Sequence, residues 1–277
     1  MYSKLTDRFS TTMLTTALFI VAFMYLFPIL WLLLSSLKPG SELFSYPLTF
    51  WPENLTFNGY KYSWSTMEFI KYFWNTLVVT ITTTILTVLA SATCGYALAK
   101  YQYWWLSVFF ICILATTMLP TEVIMNPTFT VILNMGLYDS LAGLIIPSIN
   151  TATGIFMFRQ YFITVPNDLI ESARMDGAGE GRIFFRLILP IAKPIIITLA
   201  IFSFQWRWND YIWPLIVLSD PNKYTVQIAL RSIVGAENID WVLLLSSSII
   251  SLLPMVLIFI VFQRYIMDTE VSTGIKG

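Results

Sequence analysis

The chain has 277 residues, of which 57% are hydrophobic and 12% charged, with a formal net charge of zero. A soluble domain carries about 25% charged residues, so this much apolar surface excludes a purely water-soluble fold and part of the chain must face lipid. Neutral bulk charge leaves no footprint for nucleic acid, and a chain with no His and two Cys has neither a zinc site nor a Ser-His-Asp triad.

A hydrocarbon core needs roughly 20 apolar residues per spanning helix. Six stretches qualify in chain order: 12–37, 72–98, 105–133, 139–162, 194–218 and 241–266. The first is too long for a signal-peptide core, lacks a small-residue cleavage site and ends in Lys38-Pro39-Gly40, so it reads as a retained helix. Asn75 sits at the head of the second, where it is expected to cap it. Cys94 and Cys112 lie in apolar runs and read as small core hydrophobes. Pro120, Glu122, Asn126 and Pro127 interrupt the third, a break tolerated where a helix faces protein or a watery cavity. Arg207 and Asp210, three apart in the fifth, can neutralise each other.

With the N-terminus inside, ten of the 16 Lys and Arg fall in cytoplasmic segments and five outside, with Arg207 in a span. Both termini are therefore expected in the cytoplasm. The outer loops, 38–71 and 219–240, are too short for a domain but long enough to form a rim for an external partner. The whole chain, 1–277, reads as a single transmembrane domain, all-α and polytopic with six transmembrane helices.

The loop 163–193 is a charged, glycine-broken island among these runs. Asn167 or Asp168 is expected to cap a helix over 168–176, and Gly177 to stop it. A second helix over about 180–189 carries Arg182 and Arg186 on one face and Ile183, Phe184 and Leu187 on another. Pro190 and Pro194 then restart the chain. Ser172 and Ala173 are small enough for close approach, while Glu171 and Asp176 offer carboxylates to a basic partner. A solvated interfacial helix without a partner is the competing reading. The run Gly177 to Arg182 lacks the Lys-Ser/Thr ending of a phosphate loop and follows no expected strand, so ATP is not expected to bind here.

Glu171, Ala173, Asp176, Gly177 and Ala178, followed by Leu187, Leu189 and Pro190, resemble the coupling motif of ABC importer permeases. Ser172 stands where that family usually has Ala, and Leu187 where it usually has Ile. Gly95 to Tyr101, Met118 to Val123, Trp208 to Pro214 and the closing Gly274 to Gly277 resemble its carbohydrate-uptake, maltose-type branch, so the likeness covers nearly the whole chain. The resemblance implies the type I ABC importer permease fold in the cell membrane. It also implies a second, different permease subunit, two ATP-binding subunits that hold ATP and Mg, and an external solute-binding protein. On that reading Glu171, Ser172, Ala173, Asp176, Gly177, Ala178 and Pro190 meet the ATPase. The tail from Asp268 is expected either to stay free or to reach the ATPases.

This chain is then a transport subunit with no cofactor of its own, for a sugar or oligosaccharide; glycerol-3-phosphate or a related phosphodiester is the alternative. Glu122, Asn126, Asn150, Arg207, Trp208, Asn209 and Asp210 are the candidates for the substrate path. Each also has a structural reading, as a bond between helices or as aromatic packing. Arg207 reads as the one buried cation, and pairing with Asp210 favours a neutral sugar. A secondary transporter would show buried coupling-ion acids and often an internal repeat, and neither is visible. An intramembrane enzyme lacks a catalytic cluster.

Overall fold

The computed structural model describes the backbone of residues 2–65 and 69–274, and side chains over 11–65 and 69–265. Regular structure among the described residues is helical throughout. In chain order the helices are α1 (Tyr2–Ser35), α2 (Gly40–Leu43), α3 (Asn58–Ser65), α4 (Phe69–Lys100), α5 (Trp104–Thr116), α6 (Thr121–Asn134), α7 (Leu141–Ile145) and α8 (Ala152–Thr164). They continue with α9 (Asn167–Met175), α10 (Glu180–Ile183), α11 (Leu189–Ile191), α12 (Lys193–Trp208), α13 (Ile212–Val217), α14 (Val226–Val234) and α15 (Trp241–Gly274).

Three helical segments are long and apolar enough to cross a membrane unbroken: Thr11–Ser35, Phe69–Lys100 and Trp241–Tyr265. Three bent pairs bring the total to six if each is one span, with bends of 109° between α5 and α6, 41° before α8 and 78° before α12. The fifth stretch is not one continuous helix over 194–218. Its 16-residue helix α12 rises about 24 Å, short of a hydrocarbon core of about 30 Å. The chain breaks at Asn209 and Asp210 and resumes as α13.

The described residues form two compact units. One joins the chain up to Phe69 with Leu230–Leu253; the other joins Ile70–Ala229 with the described residues from Pro254 on. In the first, Ser63 and Ser246 hydroxyls meet at 3.0 Å where Gly59 lies close against Val242. The Lys38 ammonium, in a residue only 2% exposed, donates to the Thr49 carbonyl, and Glu42 accepts from the Glu53 N–H at 2.9 Å. The loop after α1 is thus folded back on itself. The apolar residues of α1 over 11–30 stay exposed within the chain, so lipid or another protein must solvate them.

In the second unit α4 is the mast. Along it Thr76, Thr80, Thr83, Thr87 and Ser91 form a buried stripe of small hydroxyl side chains, the kind that lets membrane helices pack closely. Gly154 of α8 packs there, so tightly that a Cβ would lie 2.5 Å from the Ser91 hydroxyl. Asn75 does not cap α4. It lies inside the helix and donates to the carbonyls of Asn222 at 2.9 Å and Tyr224 at 3.1 Å. A pair of carbonyls to satisfy outcompetes a local cap.

Candidate functional site

The 163–193 loop folds as a helical hairpin against the end of α4. Ile170, Ile183, Phe184 and Ile188 are buried in one cluster with Ala92 and Tyr96 of α4 and Phe158 and Phe162 of α8. Neither Asn167 nor Asp168 caps α9, whose first turn follows Pro166 directly. The Asn167 side-chain oxygen instead accepts from the Lys100 ammonium at 2.9 Å, and the same ammonium donates to the Val165 carbonyl at 2.5 Å. Two acceptors for a charged donor outweigh one local cap.

Gly177 ends α9 at φ +79°, the left-handed region that suits glycine. Its N–H donates to the Arg174 carbonyl at 2.9 Å, and the Ala178 N–H to the Ala173 carbonyl at 3.0 Å, which together make a Schellman stop. The second helix runs from Glu180 to Ile191 and widens to π geometry over Phe184–Ile188. Pro190 explains the widening: it has no N–H for the regular ladder, and its ring would strike the carbonyl four residues back.

A brace ties this hairpin to the tail of α4. Arg174 Nε sits 2.7 Å from Glu180 Oε1, and the Tyr101 hydroxyl donates to Glu180 Oε2 at 2.9 Å. The guanidinium beside it holds the Glu180 carboxyl below the usual carboxylate range. Glu171 and Asp176 are exposed, and their carboxylates have no hydrogen bond or ion pair to another described residue. Ser172 is exposed and donates to the Asp168 carbonyl at 2.7 Å. Ala173 and Ala178 pack inward, Pro190 is exposed, and Met175 is 88% exposed. The loop therefore presents two free carboxylates, a glycine turn and one bare apolar side chain on a rigid backing.

Three breaks in the spanning helices meet elsewhere in the same unit, around an open cavity of about 310 Å3. Thr121 and Thr128 come from the first turns of α6, Ser148 and Asn150 from the break before α8, and Arg207 and Asp210 from the break after α12. Met125 and Trp213 supply apolar wall. Arg207 Nη1 donates to the Ser148 hydroxyl at 3.0 Å and lies 3.7 Å from Asp210 Oδ2. Asp210 Oδ1 also receives the Trp213 N–H at 3.4 Å, which starts α13. Arg207 Nε is left without a partner. Irregular backbone within a span needs a polar cavity or protein around it, and the three breaks share one.

Of the residues singled out in the sequence, Asn150, Arg207 and Asp210 are brought together here. Glu122 and Asn126 are exposed on an adjoining face of α6, and Asn209 is exposed, donating to the Gln205 carbonyl at 2.9 Å. Trp208 is 1% exposed, stacked on Phe204 at 5.5 Å and edge-on to Phe73, so it is core. Thr121, Thr128 and Ser148 were missed. The signal for Thr121 and Ser148 was Pro120 and Pro147, each just before a polar residue at a break, and for Thr128 it was Pro127 within α6.

Residues 90–268 match the family described as the binding-protein-dependent transport system inner membrane component. The chain belongs to that family. This permease is 38% identical to the arabinooligosaccharides transport system permease protein AraQ of Bacillus subtilis (strain 168), over 95% of each chain. It is 31% identical to the sn-glycerol-3-phosphate transport system permease protein UgpE of Yersinia pestis bv. Antiqua (strain Antiqua), over 90% of this chain and 91% of that one. Its fold is similar to that of a chain from a bacterial ABC transporter involved in the import of the acidic polysaccharide alginate. The TM-score is 0.86 at 24% identity, over 94% of the permease and 97% of that chain. The all-α architecture of an ABC importer permease, expected from the motifs, is thus the one found.

Proposed function

We propose that this permease lines half of the path for a neutral oligosaccharide, of the arabinose-oligomer kind named for its relative AraQ. The carrying observation is the charge state of the cavity at the three breaks. Among its lining residues Arg207 is the one cation, and Asp210 and Ser148 already engage it. What remains is a set of hydroxyl, amide and guanidinium groups suited to sugar hydroxyls. A phosphate ester would need an uncompensated cation there.

Membership of the family supports our reading of the rest of the assembly. A second permease covers the open side of the cavity, and an external solute-binding protein delivers the sugar. Two ATP-binding subunits hold ATP and Mg and grip the 163–193 loop through Glu171, Asp176 and the Gly177 turn. That loop and both termini lie in the cytoplasm. The contribution of the tail from Asp268 lies outside the residues whose side chains are described.

The test is uptake by the reconstituted importer. Labelled arabinose oligomers should enter with ATP and the binding protein, and a large excess of glycerol-3-phosphate should not compete. Uptake of glycerol-3-phosphate in preference would overturn the neutral-ligand reading.

A further inference from the structure

A second cavity, of about 440 Å3, opens where α4 gives way to α5, at the end of the unit that carries the 163–193 hairpin. Tyr101 both lines it and bonds Glu180 of the hairpin. The linker residues Gln102 and Tyr103, Trp104 and Ser107 of α5, and Arg159 of α8 form its polar side. No acidic residue lines it.

Arg159 sets this cavity apart. Its guanidinium carbon sits 4.2 Å from the Phe110 ring centroid. Its Nε is shielded from solvent and bonds nothing, and among the described residues no oxygen accepts from the guanidinium. A ring face attracts the cation but accepts none of its five N–H donors. The neighbouring cations are not in this state. Lys100 has the Val165 carbonyl and Asn167, and Arg174 has Glu180. A fixed, partly desolvated and unbonded guanidinium is costly unless something anionic completes it.

The surroundings say which anion. Apolar α5 starts at Trp104, which is 80% exposed, and Tyr103 and Trp105 stack at 5.9 Å. Exposed Trp and Tyr beside a snorkelling Arg mark the level of lipid headgroups. Gln102 and Ser107 are exposed donors at the same level.

We propose that this cavity binds the phosphate of an anionic phospholipid headgroup, such as phosphatidylglycerol, in a fork made by Arg159 with Gln102 and Ser107 on the rim. The site is separate from the transport cavity and does not depend on what is imported. Through Tyr101 it abuts the brace on the hairpin.

Native mass spectrometry of the assembled importer tests this, with phosphatidylglycerol, phosphatidylcholine and inorganic phosphate as probes. The complex should keep one phosphatidylglycerol on this subunit at concentrations where phosphatidylcholine is lost. Arg159→Gln should cut that occupancy about fivefold, the share of one cation at an anionic surface. Ser107→Phe, which fills the cavity from an exposed helix position, should cut it without touching a buried chain. A circular-dichroism melt identifies a variant that fails to fold, and Ser107→Phe then carries the test. Equal retention of the two lipids, or unchanged occupancy in folded Arg159→Gln and Ser107→Phe, would overturn the site. Displacement of the lipid by millimolar inorganic phosphate would overturn the assignment to a lipid.

Discussion

At the head of α4, Asp139 accepts the N–H groups of Ser219 and Asp220 at 2.9 and 3.0 Å, and Lys223 lies 2.8 Å from its second oxygen. At the tail of α4, Glu180 takes Arg174 and Tyr101. Near each end a carboxylate sits between a cation and neutral donors. At the head the polar groups are spent closing two loops on each other. At the tail the brace uses Glu180 and leaves Glu171 and Asp176 free, with Met175 bare beside them. The first arrangement makes a closed edge; the second makes a braced surface with unspent carboxylates, which suits the ATPase contact proposed for it.

The largest effect should come from Gly177→Pro. Proline holds φ near −65°, while this turn stands at +79°. We expect ATP-driven uptake to be abolished with the spanning helices still folded, as read by proteoliposome uptake and a circular-dichroism melt. Glu171→Lys should act in the same direction without loss of stability, because the carboxylate bonds nothing among the described residues. Normal transport by either variant, with the ATPases attached, would remove the case for coupling through this loop.

A smaller effect is expected from Tyr101→Phe combined with Glu180→Gln. Exposed ion pairs contribute little stability, so the melting temperature should hardly move. Sugar transported per ATP should fall several-fold, because the hairpin loses its polar brace to the end of α4 and keeps only the Lys100 bonds and the apolar contacts. An unchanged ratio would reduce the brace to surface chemistry.

Asp139→Asn should do the opposite, lowering the melting temperature by a few degrees while leaving transport per ATP intact. Uncoupling by this variant would break the contrast between the two ends. The smallest effect is on pH. Backbone donation from Asp220, then the Lys223 ammonium and the Ser219 N–H, push the Asp139 carboxyl down to about 2 from 3.8. A lowered folded value means that its stabilisation is full above about pH 4 and lost as pH falls through about 2. Acid titration of wild type and Asp139→Asn should therefore converge only near pH 2.

The hairpin was legible in the chain because its signals are local. A left-handed stop needs glycine, Pro190 interrupts the hydrogen-bond ladder, and Ile170 and Ile183 alternate with charges at helical spacing. The local rules failed where a distant partner competed. Lys100 drew Asn167 away from a cap, and the carbonyls of Asn222 and Tyr224 drew Asn75. Trp208 and Trp213 are five apart and chemically alike, yet one is core and the other lines the cavity. The break at Asn209 and Asp210 turns the helix between them, and periodicity carried through that break points them wrongly.

Composition and hydropathy alone determined a membrane-embedded, all-helical chain, because lipid thickness and backbone satisfaction allow few other answers, and the resemblance of the hairpin's residues to a known motif pointed to the family. Only the tertiary structure decided that breaks near residues 121, 148 and 210 share one cavity, and that Asp210 and Ser148 both meet Arg207 there. Aspartate three residues on is within reach along the helix; Ser148 is 59 positions away, and only packing brings it near.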